Sequence, residues 1–286
     1  NGERITRSRK LRLLVKSKES TKVRIVSRGI GKNYDFTPES NGRLEVLWET
    51  DSLQGNKSVK AYFMDEARNT TKVPAEATVL LKTKPPARPL VMIDQGKKFT
   101  NSKAGTVHVS MATKENPNQL MMLISNSSNF EGSDARPFVR IMDGWKLDTE
   151  TDGLKKVYVR LIDEAGNISE VSSAEIFLDR SPPVVNSFTI NEDCQWCISL
   201  SVVLYSDVDD AYEAKYSNNP NTLRNISWEK YVPQRPDWML MPNDGPKAVY
   251  AIFRDQAGNI SELTSARINV DKTPPQGTLQ IKQGRR

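Results

Sequence analysis

Residues 157 to 183 read "VYVRLIDEAGNISEVSSAEIFLDRSPP", with the oxygen-bearing side chains of Asp163, Glu164, Asn167 and Asp179 set around a glycine. The stretch returns as "VYAIFRDQAGNISELTSARINVDKTPP" at 249 to 275 and, more loosely, as "VKAYFMDEARNTTKVPAEATVLLKTKPP" at 59 to 86. A feature that recurs at a fixed interval is first of all a structural unit, so the period is read before any chemistry. Trp48, Trp145 and Trp238 stand 17 or 18 residues ahead of Asp65, Asp163 and Asp255, and Ser27, Ser125 and Ser217 stand 20 or 21 residues ahead of those tryptophans. At the ends, "NGERITRS" (1 to 8) parallels "QGKKFTNS" (95 to 102), and "LQIKQGRR" (279 to 286) parallels "LVMIDQGKK" (90 to 98). Gly2, Gly96 and Gly284 therefore share one phase of a period of about 94 residues, and the chain holds three periods.

Within each copy the pattern is that of strands. Val157, Val159 and Leu161 alternate with Tyr158, Arg160 and Ile162, and the series repeats as Val249, Ala251, Phe253 and as Val59, Ala61, Phe63. A two-residue period puts one face of a strand in a core. A second run follows at once in each copy (73 to 81, 171 to 178, 263 to 270), across "DEARN", "DEAGN" or "DQAGN". A short connection between two such runs is a hairpin. Asp163 is placed to accept backbone N–H groups two or three residues on, Gly166 to take a positive φ, and Asn167 to tolerate the strained geometry beside it. Arg68 in place of the glycine predicts a strained or reshaped turn in the first copy.

Upstream, residues 11 to 15, 107 to 110 and 199 to 204 read as strands, as do 23 to 27, 120 to 125 and 212 to 217. Trp145 and Trp238 are expected to pack on the sheets. Helical spacing is never sustained, and short strands at regular intervals define a two-sheet sandwich. The pairs Pro85-Pro86, Pro182-Pro183 and Pro274-Pro275 cannot continue a strand. The expected architecture is all-β, three tandem β-sandwich domains in an extended rod. Its parts are 1–86 (lacking its first strand), 87–183 and 184–276, with 277–286 as the first strand of a further repeat or a donor strand.

A chain of 286 residues suits two or three domains, and roughly 94 residues suffice for a sandwich core. No run of 18 apolar residues is present to span a membrane. The absence of a leader in a chain that opens inside a repeat carries no information. Much of the net charge of +6 lies near the N-terminus, where Lys10, Arg12 and Lys16 alternate with Leu11, Leu13 and Val15. That is a solvated strand face, and it argues against a nucleic-acid partner.

The pattern D-x-A-G-N-x-S, then about ten residues, then D-x-(S/T)-P-P, resembles the tandem immunoglobulin-like or fibronectin-III-like repeats of bacterial and archaeal surface proteins. The resemblance covers all three copies, the second and third most closely. It implies an extracellular, non-enzymatic structural protein of a cell-surface filament, stalk or surface layer. The alternative is a carbohydrate- or receptor-binding adhesin or accessory module, with cell-wall polysaccharide as a partner. Some proteins of that resemblance hold calcium between domains, and the candidate ligands here are Asp163, Glu164, Asn167, Asp179, Asp255, Asn259 and Asp271. Calcium takes six to eight oxygens, the first copy has Lys82 for the linker aspartate, and no Asp-x-Asp ladder lies near the linkers. Capping and solvated charge is the reading favoured, with no cofactor required.

The thiols of "CQWC", Cys194 and Cys197, lack the further ligands of a zinc site, the His of a haem site and the βαβ context of a redox site. In an exported protein they are expected to form a local disulfide, with buried free thiols as the alternative. His108 is the only histidine, and no nucleophile motif accompanies it. Sequons at Asn56, Asn69, Asn126, Asn167, Asn225 and Asn259 permit glycosylation. The cluster "ISWEKYVPQRPDW", with Trp228, Tyr231 and Trp238, is the one candidate for a sugar platform.

The first copy starts beyond the strand type of "PLVMID" (89 to 94) and "VVNSFTIN" (184 to 191), and that type recurs unpaired near the end as "GTLQIKQG". Either a longer repeat chain is expected, or self-association in which Thr278, Leu279 and Ile281 form an assembly strand that fills the open edge of another copy.

Overall fold

A computed structural model describes residues 4–37 and 41–281 of the chain. In the first copy the strands are Ile5–Thr6 (β1), Lys10–Lys16 (β2), Lys22–Ser27 (β3), Ile30–Asp35 (β4), Arg43–Glu49 (β5), Gly55–Met64 (β6) and Ala75–Leu81 (β7). The second copy supplies Leu90–Ile93 (β8), Phe99–Thr100 (β9), Thr106–Ala112 (β10), Leu120–Ser125 (β11), Arg136–Pro137 (β12), Ile141–Lys146 (β13), Gly153–Asp163 (β14) and Ser172–Leu178 (β15). The third supplies Val184–Ile190 (β16), Trp196–Cys197 (β17), Ser201–Asp209 (β18), Glu213–Ser217 (β19), Glu229–Lys230 (β20), Gln234–Met239 (β21), Gly245–Arg254 (β22) and Thr264–Val270 (β23). The described helices are short 3-10 turns, and none is long and apolar enough to cross a membrane.

Each copy has a five-stranded sheet: β1-β7-β6-β3-β4, β12-β11-β14-β15-β9 and β17-β23-β22-β19-β20. The second and third copies add three-stranded sheets, β13-β10-β8 and β16-β18-β21, whereas among the described residues the first has the pair β2-β5. These are immunoglobulin- or fibronectin-III-like sandwiches in tandem. By backbone proximity the chain divides into two compact units, residues 1–96, 107–147 and 156–175, and residues 97–106, 148–155 and 176–286.

The alternation seen in sequence is the alternation of burial. Val157, Val159 and Leu161 are buried, as are Val249, Ala251 and Phe253. Within the second unit Phe253 is met edge-on by Phe188, Tyr216 and Tyr231, a core in which each large buried side chain contributes about 1.5–3 kcal/mol. Within the first unit Val15, Val23, Ile25, Val46, Trp48 and Val59 form the corresponding core.

Three features escaped the sequence pattern. The two-residue strands β1, β9 and β17 run parallel to the last strand of their copies, as in Phe99 opposite Phe177 and Trp196 opposite Asn269, and two residues carry no periodicity. Strand β4 makes a hairpin with β3 over its full length, while the counterparts β12 and β20 pair over two residues. The strand expected within 277–286 is not formed in residues 277–281, which are exposed and without secondary structure. Residues 282–286 of that expected strand lie outside the described residues.

Candidate functional site: joint turns and an open groove

The acidic turn is built the same way three times. Asp163 N donates to Asn167 O (3.0 Å) and Gly166 N to Asp163 O (2.9 Å). The Asp163 carboxylate accepts Ala165 N, Asn167 N and Asn167 Nδ2 at 2.8 to 2.9 Å. Gly166 and Gly258 have φ of 82° and 97°, where a side chain is costly. Arg68 holds φ at 69° and keeps the hydrogen bonds of its neighbours, Arg68 N to Asp65 O at 3.1 Å and Asn69 N to Asp65 Oδ1 at 2.8 Å. The turn with arginine is thus strained and not reshaped. Hydrogen bonds from Asn69 hold the Asp65 carboxyl below the usual aspartate range.

What the turns do differs between copies. In the first unit Asn167 Nδ2 also donates to the carbonyl of Lys82 (2.9 Å), Arg7 Nη1 donates to Gly166 O (2.8 Å), and Lys82 pairs with Glu164 at 3.8 Å. In the second unit Asn259 Nδ2 donates to the carbonyl of Asp179 (2.9 Å) and to Asp255 Oδ2 (2.8 Å). Asn167 and Asn259 are buried, and Asn69 is exposed with Asp65 as its side-chain partner. The second and third turns are therefore clasps on the residue that ends the preceding copy's last strand. Both Nδ2 protons of Asn167 and of Asn259 are committed, which is incompatible with a glycan at either nitrogen.

Among the calcium candidates, Asp179 and Asp255 are brought together, and the third member of the group is Asp210, which has no repeat signature. Their carboxylate oxygens lie within 4.8 Å of one another. Asp255 is buried and already accepts Gly258 N, Asn259 N and Asn259 Nδ2. Asp210 is the exposed turn residue that follows β18, with φ of 62°. Burial, then the charges of Asp179 and Asp255, pushes its pKa up. Asp179 and Asp271 cap their own linkers by accepting Ser181 N (3.1 Å) and Thr273 N (3.0 Å). In the first unit Lys82 stands where Asp179 stands in the second, so Asp163 and Asn167 have a cation beside their turn instead of a second carboxylate.

The expected disulfide is absent: Cys194 and Cys197 are free thiols. Cys197 is held in β17 opposite Val270, and its thiol donates to Ser199 O at 3.2 Å. That strand pairing fixes Cys197 independently of Cys194, which ends a 3-10 turn and is exposed. His108 Nδ1 lies 2.6 Å from Asp143 Oδ1, and both side chains are open to solvent. The aromatic cluster is no free platform: Lys215 and Arg254 lie 4.8 and 4.3 Å from the Trp228 ring. Arg235 lies 4.9 Å from Trp238, whose Nε1 donates to Asn218. Trp145 is half-buried and donates to Asn126 in the same way (2.8 Å). The exposed tryptophan is Trp196, beside the thiols.

The open groove lies in the first unit. Strands β10 and β18 are flanked on both sides, while β2 pairs with β5 alone among the described residues. A cavity of about 1080 Å³ opens along β2, lined by Leu11, Leu13 and Val15 on one side and Ile25, Val59, Ala61 and Phe63 on the other. Side chains that the other copies bury completely are only half-buried here. Phe63 corresponds to Leu161 and Phe253, both 0% exposed, and Leu13 to Val109 and Leu204, at 0% and 1%. Among the described residues no strand lies on the free edge of β2, so this stretch of core stays open.

No family model and no curated protein matches the chain. Among solved structures it is similar to the fibronectin(III)-like modules of Clostridium thermocellum CbhA, at 15% identity and TM-score 0.38, over 67% of this chain and 100% of that one. It is also similar to a 1.5-MDa bacterial ice-binding adhesin (14%, TM-score 0.40, 91% of this chain and 90% of that one). A Ca²⁺-stabilized ice-binding adhesin of an Antarctic bacterium matches at 16% and TM-score 0.39, over 88% of this chain and 66% of that one. Overlaps this loose say nothing of ligand, partner or activity.

Proposed function

We propose that the chain is a non-enzymatic structural segment of an extracellular surface protein, a filament, stalk or surface layer, whose sandwiches follow one another in tandem and whose first sandwich is completed by a strand supplied from outside it. The copies on this reading are 1–86, 87–183 and 184–276, with 277–286 as the supplied strand type. The observation that carries it is the uncovered core along β2, where Leu13 and Phe63 remain accessible although their counterparts are sealed. An unpaired edge over apolar side chains invites strand addition. The repeated motif and Pro-Pro linkers support a mechanical and not a catalytic role, and the clasps of Asn167 and Asn259 suit a chain that bears tension along its length.

Sedimentation and negative-stain electron microscopy test this. End-to-end assemblies should grow with concentration and disappear when residues 277–286 are deleted; assemblies that persist unchanged would rule out strand supply. The carbohydrate-binding reading now rests on Trp196 alone, the one tryptophan with an open face.

A further inference from the structure

Resting on that end-to-end reading, we infer that the occupant of the groove is residues 277–281 of a second copy of this chain, added antiparallel to β2 with Ile281 opposite Leu13 and Leu279 opposite Val15. The register comes from the sibling sandwiches. There β8 lies on β10 with Ile93 opposite Val109 and Val91 opposite Met111, and β16 lies on β18 with Ile190 opposite Leu204 and Phe188 opposite Ser206. The tryptophans set the phase between copies, since Val202 faces Trp238 and Leu11 faces Trp48. Leu13 is then the counterpart of Leu204 and Val109. Aligning "LVMIDQG" (90 to 96) with "LQIKQG" (279 to 284) at Gln-Gly puts Leu279 at the place of Val91 and Ile281 at that of Ile93.

The faces agree with this placement. Ile93 and Ile190 are buried, while Leu90 and Met92 are exposed, and the segment has apolar Leu279 and Ile281 inward with polar Thr278 and Gln280 outward. In the single chain Leu279 and Ile281 are 93% and 90% exposed, a state that burial in the groove would relieve. Strand β16 also packs on β23, burying Ala266, whereas Ala77, its counterpart on β7, is exposed. One place departs from the siblings. Asp94 and Asn191 accept the amides of His108 (2.7 Å) and Val203 (2.9 Å), and Lys282 at that position accepts nothing, so the amide of Arg12 is left to solvent.

The test is a cross-strand pair. In a Cys194→Ser, Cys197→Ser background, Leu14→Cys and Gln280→Cys become opposite residues on the outward face. Opposed Cα atoms in such a pair are about 4.5–5.5 Å apart, within the Cα span of a disulfide. Both wild-type side chains are exposed, so the substitutions leave the cores intact. Mild oxidation should give a ladder of covalent oligomers. The slipped pair Arg12→Cys with Gln280→Cys should not, and Leu279→Asp with Ile281→Asp should abolish the ladder and weaken association on the order of 100-fold. A cross-linked monomer would overturn the second copy as occupant. Assemblies that still need residues 277–286 but cross-link only in the slipped register would overturn this register and leave the end-to-end reading standing. A chain that stays monomeric at all concentrations would sink both.

Discussion

The three turn asparagines allow the clasp to be measured against an internal reference. Asn69, Asn167 and Asn259 occupy the same position of the same turn, and each donates Nδ2 to the turn aspartate at 2.8 to 3.0 Å. Asn167 and Asn259 alone add a second bond, 2.9 Å to the carbonyls of Lys82 and Asp179. Replacing Asn69 by Ala removes a solvent-exposed bond that belongs to the turn alone. Replacing Asn167 or Asn259 removes the same bond and leaves a part-buried carbonyl without its donor, a further loss of about 1–3 kcal/mol. The difference between variants cancels the turn and reports the clasp. Native-state hydrogen exchange, read by mass spectrometry on the peptides spanning each turn, gives the opening free energy locally, which suits a multidomain chain better than one global transition. Asn167→Ala and Asn259→Ala should open more easily than Asn69→Ala by roughly 5- to 150-fold, the 1–3 kcal/mol converted. Equal losses in all three turns would refute the clasp.

Other outcomes follow from single groups. The raised pKa of Asp210 means that the folded state binds its proton more tightly than the unfolded one does, so its contribution is favourable at low pH and is lost as pH rises through a value above 3.8. Asp210→Asn should therefore raise the melting temperature at neutral pH, with a gain that shrinks on acidification; a gain independent of pH would assign it to the left-handed backbone alone. Chelation with EDTA should leave that melting temperature unchanged, whereas a fall reversed by calcium would place an ion among Asp179, Asp210 and Asp255. The Tyr216 hydroxyl is buried, and burial, opposed by the nearby Ser206, pushes its pKa up to about 12. Stability should fall as pH rises from 10 toward 12, and Tyr216→Phe should flatten that fall and stabilise the third sandwich at neutral pH. Failure of one tyrosine to titrate late in the 295 nm absorbance would count against this. Arg68→Gly should relieve the φ of 69° and stabilise the first sandwich by about 0.5–1 kcal/mol, measured by urea denaturation; a loss would mean that the arginine has a compensating contact.

The repeat was legible because backbone geometry is local. Alternation at Val157, Val159 and Leu161 requires a half-buried strand, and Asp163, Gly166 and Asn167 satisfy a turn with bonds that span four residues. The hydrogen bonding of the acidic turn was legible for the same reason. The disulfide reading failed because spacing along the chain does not say where strand pairing holds a cysteine. Asp210 was missed because it belongs to no repeat and meets Asp179 and Asp255 only through the fold.

The sequence by itself determined the all-β class, the period and the hairpins, all consequences of side-chain alternation and turn chemistry over a few residues. Only the tertiary structure decided that Asn167 and Asn259 clasp the preceding copy while Asn69 does not, and that Leu13 and Phe63 stay half-buried. Those outcomes depend on which surfaces meet across many residues, and burial is a property of the meeting, not of either segment alone.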